Sequence, residues 1–345
     1  MRRSILLLLL ALFIFPLAVS AQDDNVLLFD LSETYTDEEL SLEFPYPADW
    51  VFDDSTETLY MAENEADLAA ELDDDETTNA EGYTITLGTI PVAALQLENP
   101  TLDEAVDIIV AAVGLNITET VEVPIMTRRS IVVIGVDEDG EAGLASMWLQ
   151  NGLVVVFSMG TPEDEVSGDT GFSFGNIIGA MLSLPAEGFE LTEVQELPDF
   201  GVAINYPTGW IAVTTETGVR FYETEEDAAN DASGAAPVNY AVAFLFTNVS
   251  EMGLPEGFAY SDFPDLAQTL FEPTEIFSID EHVILDIPGI LLVGASELQA
   301  TAAGIFLDGE NDRALVVGVS APDPQALTDF QSTGIAMFQS LRLME

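Results

Sequence analysis

The sequence predicts an α+β protein of two tandem domains, each a mainly antiparallel β-sheet flanked by helices. Three observations predict it. A set of residues recurs at a spacing of 160 and then 157, short stretches alternate in polarity with a period of two, and each half ends on an apolar stripe at helical spacing.

The recurrence organises the chain. Phe44-Pro-Tyr-Pro-Ala-Asp-Trp-Val51 matches Ile204-Asn-Tyr-Pro-Thr-Gly-Trp-Ile211 at an offset of 160, and Leu59–Glu63 sits opposite Val219–Glu223 in the same register. An acidic, alanine-rich segment follows in both places. Tyr83–Leu87 then answers Tyr240–Phe244, and Ser183-Leu184 answers Ser340-Leu341, both at 157, as a three-residue deletion in a loop would produce. Units of this length are too long for a solenoid repeat, so a domain duplication is expected. The expected boundaries are 1–21 for a signal peptide, 26–185 for the first domain, 186–198 for an acidic linker closed by Pro185 and Pro198, and 199–345 for the second domain.

Arg2 and Arg3 precede an apolar run from Ile5 to Val19, and Val19-Ser20-Ala21 supplies the small residues that signal peptidase requires. Cleavage after Ala21 and a secreted, extracellular or periplasmic, product are expected. The competing reading is a membrane anchor, but the apolar run is shorter than the about 20 helical residues that cross a bilayer. No membrane insertion is expected after cleavage. With no Cys, neither a lipid anchor on Cys nor a disulfide is available.

Leu42, Phe44 and Tyr46 alternate with Ser41, Glu43 and Pro45, and Tyr83, Ile85 and Leu87 with Thr84, Thr86 and Gly88, which reads as two strands with one buried face. In the second half, Tyr240–Phe246 is apolar at the alternate positions too, as in a strand covered on both sides. Thr101 and Glu104 form a capping box ahead of Leu102, Ala105, Val106, Ile109, Val110 and Val113, a helical stripe. Its counterpart carries Phe263, Leu266, Ala267, Leu270 and Phe271. Strands follow near Ile131–Val136, Gly143–Leu149 and Leu153–Met159, with turns at Asp139-Gly140 and Asn151-Gly152 that make antiparallel hairpins. Ile290–Ala295, Thr301–Leu307 and Leu315–Ser320 repeat them, with Asp308-Gly309 opening the last turn. Phe174, Ile177, Ile178, Met181 and Leu182 close the first half as a helix; Leu327, Phe330, Met337, Phe338 and Leu341 close the second, with Asp323 as cap and Pro324 in the first turn.

The Tyr-Pro-x-x-Trp element, Tyr46, Pro47 and Trp50 in one half and Tyr206, Pro207 and Trp210 in the other, ends an early strand because proline lacks the ladder donor. Asp49 or Gly209 takes the unusual turn dihedral and the Trp returns to the core as an anchor. This strand-turn-Trp element, followed by a central helix, hairpins and a terminal amphipathic helix, resembles the PsbP/Mog1-like α/β/α sandwich family, of which exported bacterial members are known. The resemblance implies a non-enzymatic binding or assembly role. The chain lacks the lysines by which the oxygen-evolving-complex subunit of that family would dock, so photosystem association is not carried over.

Sixty-two acids face seven arginines, two of them in the signal segment, and lysine is absent; the mature chain carries a net charge of −57. Nucleic acid and anionic lipid are bound through basic residues, so neither partner is expected. A saline or acidic medium would relieve the self-repulsion. The single histidine, His282, follows two acids in Asp280-Glu281-His282 and is expected on the surface; with no Cys, neither a zinc site nor a Cys nucleophile is expected. Calcium, the one cofactor considered, would find carboxylates at Asp73, Asp75, Asp137, Asp139 and Glu141, though at no known calcium-loop spacing. No cofactor, no catalytic residue and an extracellular protein or small ligand as partner are the expectations. A carboxylate-based hydrolase and a calcium-stabilised structural protein are the alternatives. Asn116-Ile-Thr118 and Asn248-Val-Ser250 match glycosylation sequons.

Overall fold

The computed structural model describes residues 27–72, 80–96, 101–136, 140, 142–163, 165–233, 238–254, 275–295, 300–309 and 311–344. The signal segment, the second-half helix around Phe263–Phe271 and the Asp139 side of the Asp139-Gly140 turn lie outside them. The protein is mostly antiparallel sheet with five helices among the described residues. The chain divides into two compact units, the first built mainly from Phe44–Ile125 and Arg129–Met181, the second from Leu182–Glu345 together with Asp37–Glu43 and Met126–Arg128.

The first part of the chain forms β1 (Glu33–Asp37), β2 (Leu42–Tyr46), β3 (Val51–Asp53), β4 (Leu59–Ala62), α1 (Glu65–Glu71), β5 (Thr84–Pro91), α2 (Leu102–Val113), β6 (Asn116–Ile125), β7 (Arg128–Val136), β8 (Ala142–Gln150), β9 (Leu153–Thr161), α3 (Gly168–Gly179) and β10 (Leu182–Ser183). The main sheet of the first unit runs in the order β3-β4-β5-β9-β8-β7-β6. Helix α2 starts where its cap predicts, with Thr101 accepting from the Glu104 N–H while the Glu104 side chain accepts from the Thr101 N–H, and Gly114 ends it at φ 68°. It buries Leu102, Ala105, Val106 and Ile109 against Ile131, Val133, Met147 and Val154. Val113, expected in that stripe, sits in the last turn of the helix and is 61% exposed. The opposite face is covered by α3, whose Phe174 ring lies 5.7 Å from Phe157, itself 5.1 Å from Phe44. Two covered faces explain why Ile131, Val132 and Val133 are all buried. Leu182, placed by sequence on the closing helix, is instead an exposed strand residue beyond its end.

The second part forms β11 (Glu193–Leu197), β12 (Val202–Tyr206), β13 (Ile211–Thr215), β14 (Gly218–Tyr222), α4 (Glu225–Ala232), β15 (Ala241–Thr247), β16 (Glu275–Ile284), β17 (Ile287–Ala295), β18 (Ala300–Asp308), β19 (Arg313–Ala321), α5 (Pro324–Ser340) and β20 (Arg342–Leu343). Its main sheet runs β13-β14-β15-β19-β18-β17-β16, the order found in the first unit strand for strand. In β15, Val242 and Phe244 are buried while Ala243 and Leu245 are half-buried, so the strand is not fully covered on both sides. Helix α5 begins as expected, with the Asp323 carboxylate accepting from the Ala326 N–H and Pro324 in the first turn. Leu327, Phe330, Met337, Phe338 and Leu341 are all buried.

Two details correct the sequence reading. The segment 186–198 is not a free linker: β11 pairs with β12 along its full length, and Phe189 packs on Trp210 and Tyr240. The closing register also differs. Leu182 pairs with Glu43 and Arg342 with Ala203, so the sheets align Leu182 with Arg342 at an offset of 160 rather than Ser183 with Ser340 at 157. The three residues lost before β15 are regained before the closing helix.

Strands β6 and β16 were invisible in sequence. Each opens a hairpin whose two-residue turn, Met126-Thr127 or Leu285-Asp286, holds both residues at positive φ (48° and 64°; 52° and 60°). That geometry belongs to a type I′ turn, which normally announces itself by Asn-Gly. Replacing Leu285 by Asn and Asp286 by Gly is therefore expected to stabilise the second unit by about 1–2 kcal/mol by relieving the left-handed backbone penalty. An upward shift of the urea midpoint at unchanged slope is the signature to measure.

Candidate functional site

Pro47 and Pro207 are buried, and both Trp N–H groups close a turn onto the proline carbonyl, at 3.1 Å for Trp50 and 3.2 Å for Trp210. Only Gly209 takes a positive φ, 79°; Asp49 does not. Each Trp meets a ring the sequence had not singled out. Phe29 lies 5.1 Å from both Trp50 and Tyr83, while Phe189 lies 6.1 Å from Trp210 and 5.3 Å from Tyr240. Phe29 and Phe189 are again 160 apart. In the second unit Trp210 also stacks on Phe330, 5.5 Å away and 6° from parallel. Tyr46 and Tyr206 remain half-exposed, packed on Phe52 and Phe221.

Asp73, Asp75, Asp137, Asp139 and Glu141 all lie outside the described residues. Among the described residues no three His, Asp or Glu side chains converge as metal ligands, and no helix is long and apolar enough to cross a membrane.

His282 is not on the surface. It is 3% exposed within the second unit, with Thr127 Oγ1 3.1 Å from its Nδ1. Burial, reinforced by the charge of Arg128, pushes its pKa down from 6.5 to about 3, against the opposing effect of a hydrogen bond from the ring to the Thr127 backbone. Glu281 misled because alternation along β16 sends its side chain to the face opposite His282, where it is exposed. The unfolded chain takes up a proton below pH 6.5 that the folded chain refuses until about pH 3. Stability is thus full above pH 6.5 and falls as pH drops, by about 1.4 kcal/mol per pH unit. Urea titrations at pH 5.5 and 4.5 should show that slope, and His282→Leu should remove it.

The sequence also missed two buried carboxylates at offset 160, Asp67 and Asp227, each three residues after a helix cap. Asp227 accepts from Thr224 Oγ1 (2.6 Å), the Val238 N–H (2.7 Å), the Asn239 N–H (3.2 Å) and Asn239 Nδ2 (3.0 Å). Burial raises its pKa, but these four donors outweigh burial and hold it below the ordinary value. Asp67 accepts from Asn64 Nδ2 (2.6 Å) and the Glu81 N–H (2.8 Å). Both are structural ties from a short helix to the approach of the next strand.

A concave site lies among the described residues. In the first unit, between α3 and the β6-β7-β8 side of the sheet, a cleft of about 240 Å³ is lined by Val123, Val132, Ile134, Leu144, Phe174 and Ile178 below and by Thr118, Glu119, Glu165 and Ser167 at the rim. It opens because α3 begins late. Ser167 caps α3, whereas the corresponding residue of α5 at offset 160 is Leu327, already one turn inside the helix and buried. The hydroxyls of the rim are engaged: Thr118 donates to the Ile134 carbonyl (3.1 Å), and Ser167 Oγ accepts from the Thr170 N–H (3.2 Å). Glu119 and Glu165 are exposed. The arrangement can hold an apolar group on its floor beside negative charge.

No family model matches this sequence, and the comparison with curated proteins found no match. Among solved structures, the chain is similar to the cyanobacterial PsbP of Synechocystis sp. PCC 6803 (12% identity, 44% of this chain and 91% of that one, TM-score 0.30). It is also similar to the Ran-binding protein Mog1p of Saccharomyces cerevisiae (11% identity, 44% and 95%, TM-score 0.31) and to a Bacteroides thetaiotaomicron protein (10% identity, 76% and 87%, TM-score 0.27).

Proposed function

We propose that this protein is an exported, non-catalytic binding module built from a duplicated α+β domain, and that the cleft of the first unit is its ligand site. The observation that carries the reading is the composition of that cleft: an apolar floor formed by sheet and helix, with no buried titratable pair above it among the described residues. A carboxylate hydrolase needs two converging acids, one kept protonated by desolvation. Glu119 and Glu165 stand in solvent instead. Duplication is supported by the shared strand order, the paired Phe29 and Phe189, and the paired Asp67 and Asp227. The two copies have diverged at this site, where Leu327 replaces Ser167. Export rests on the Arg2–Ala21 segment, and the secreted product should begin at Gln22 on N-terminal sequencing.

The binding reading is tested by methyl NMR on the mature chain against a small-molecule fragment library. Saturable hits that shift Ile134, Leu144 and Ile178 are expected. A library whose hits all fall elsewhere, leaving these methyls unmoved, would contradict the reading.

A further inference from the structure

We infer that the cleft of the first unit takes an organic cation with an apolar body, such as a protonated amine on a single ring; this rests on reading the cleft as the ligand site. Size sets the first limit. A volume of about 240 Å³ exceeds the roughly 150 Å³ cavity that holds benzene but is below the about 300–1,000 Å³ of drug-sized pockets. One ring with a short chain fills it.

Polarity sets the second. Val132, Ile134, Leu144, Phe174 and Ile178 offer the body of a ligand no polar partner, so recognition of a polar group falls to the rim. There the charge is carried by Glu119 and Glu165. An arginine could neutralise them, but among the described residues four arginines are engaged elsewhere and the fifth is buried. Arg129 grips Asp103 (2.8 and 3.2 Å) and Glu122 (2.6 and 3.2 Å), Arg220 pairs with Asp231, Arg313 with Asp308, and Arg342 donates to Asn205 Oδ1 (2.8 Å). Arg128 is buried.

The amino end of α3 at the same rim would ordinarily draw an anion. Here Ser167 occupies the Thr170 N–H, and Asp169 adds a negative charge to the first turn. An anionic ligand would also meet the field of a chain with 62 acids, whereas a cation is steered inward by it. Ammonium at the rim and ring on the floor is the arrangement that satisfies both halves of the cleft. A free amine and a basic side chain of a partner protein share this chemistry.

The mature chain should be titrated, in constant salt and with methyl NMR as readout, with phenylethylammonium, 3-phenylpropionate and 2-phenylethanol, which differ in charge on nearly the same body. Phenylethylammonium should saturate with a Kd of about 0.1–10 mM, shift Ile134, Leu144 and Ile178, and bind roughly tenfold or more tightly than the carboxylate. The Glu119→Gln, Glu165→Gln double variant, altered only at exposed positions, should lose about tenfold. The Glu216→Gln, Glu251→Gln variant, equal in charge but altered in the second unit, should lose little. Equal affinity for the carboxylate or the alcohol, or an equal loss in both variants, would overturn the cation while leaving the cleft a binding site. Silence of the cleft methyls to all three compounds would remove both readings. A blocked phenylalanyl-lysine amide that outcompetes phenylethylammonium would assign the cation to a partner's side chain, and the reverse order to a free amine.

Discussion

Replacing Asp227 by alanine is expected to destabilise the second unit by about 3–5 kcal/mol, the range for leaving buried hydrogen-bond donors without their charged acceptor. The carboxylate is 0% exposed and receives four hydrogen bonds, two from backbone N–H groups and two from the side chains of Thr224 and Asn239. Alanine leaves those donors facing a space too closed for bulk water. Asparagine keeps the shape but presents one acceptor and one misdirected donor, so it should recover only part of the loss. Asp67→Ala in the first unit should cost less, since among the described residues Asp67 accepts from Asn64 Nδ2 and one backbone N–H, that of Glu81, against four donors to Asp227. Urea denaturation of each variant measures both. The pH dependence follows from the depressed folded pKa of Asp227. Its contribution is present above the unfolded value near 3.9 and is lost as pH falls through the lower folded one. Acid unfolding of the second unit should therefore shift upward in pH when Asp227 is removed.

Thermal stability in neutral buffer should rise by roughly 10 °C between low salt and molar sodium chloride. Sixty-two acids against five mature arginines make every described surface a field of like charge, and four of those arginines are spent on neighbouring groups of the same fold. Self-repulsion of that size loosens a compact chain and is screened over about 3 Å at 1 M salt. Calcium and magnesium at equal concentration should then move the midpoint alike. A calcium shift well beyond that of magnesium would point instead to a site among Asp73, Asp75, Asp137, Asp139 and Glu141. A midpoint indifferent to salt would mean that the carboxylates are neutralised in some other way.

What the sequence determined by itself was whatever depends on local chemistry. The capping box at Thr101, the Asp323-Pro324 helix start and the period-two strands around Leu42 and Ile85 are set by neighbours within a few residues, and they stand in the structure nearly residue for residue. The antiparallel class followed from hairpin turns such as Asn151-Gly152, whose residues sit at φ 53° and 76°. Tertiary structure decided the rest. Strands β6 and β16 form around turns without Asn or Gly because their ladders to β7 and β17 outweigh the backbone penalty of Met126-Thr127 and Leu285-Asp286. Asp227 and His282 look like surface residues in an acidic chain, yet one is buried by donors that arrive from eleven and twelve residues away and the other by Thr127, 155 residues distant. The cleft depends on where α3 begins relative to a sheet made of strands far apart in sequence. Burial and concavity are properties of what packs against a residue, and a single chain written in order carries no direct record of its non-local neighbours.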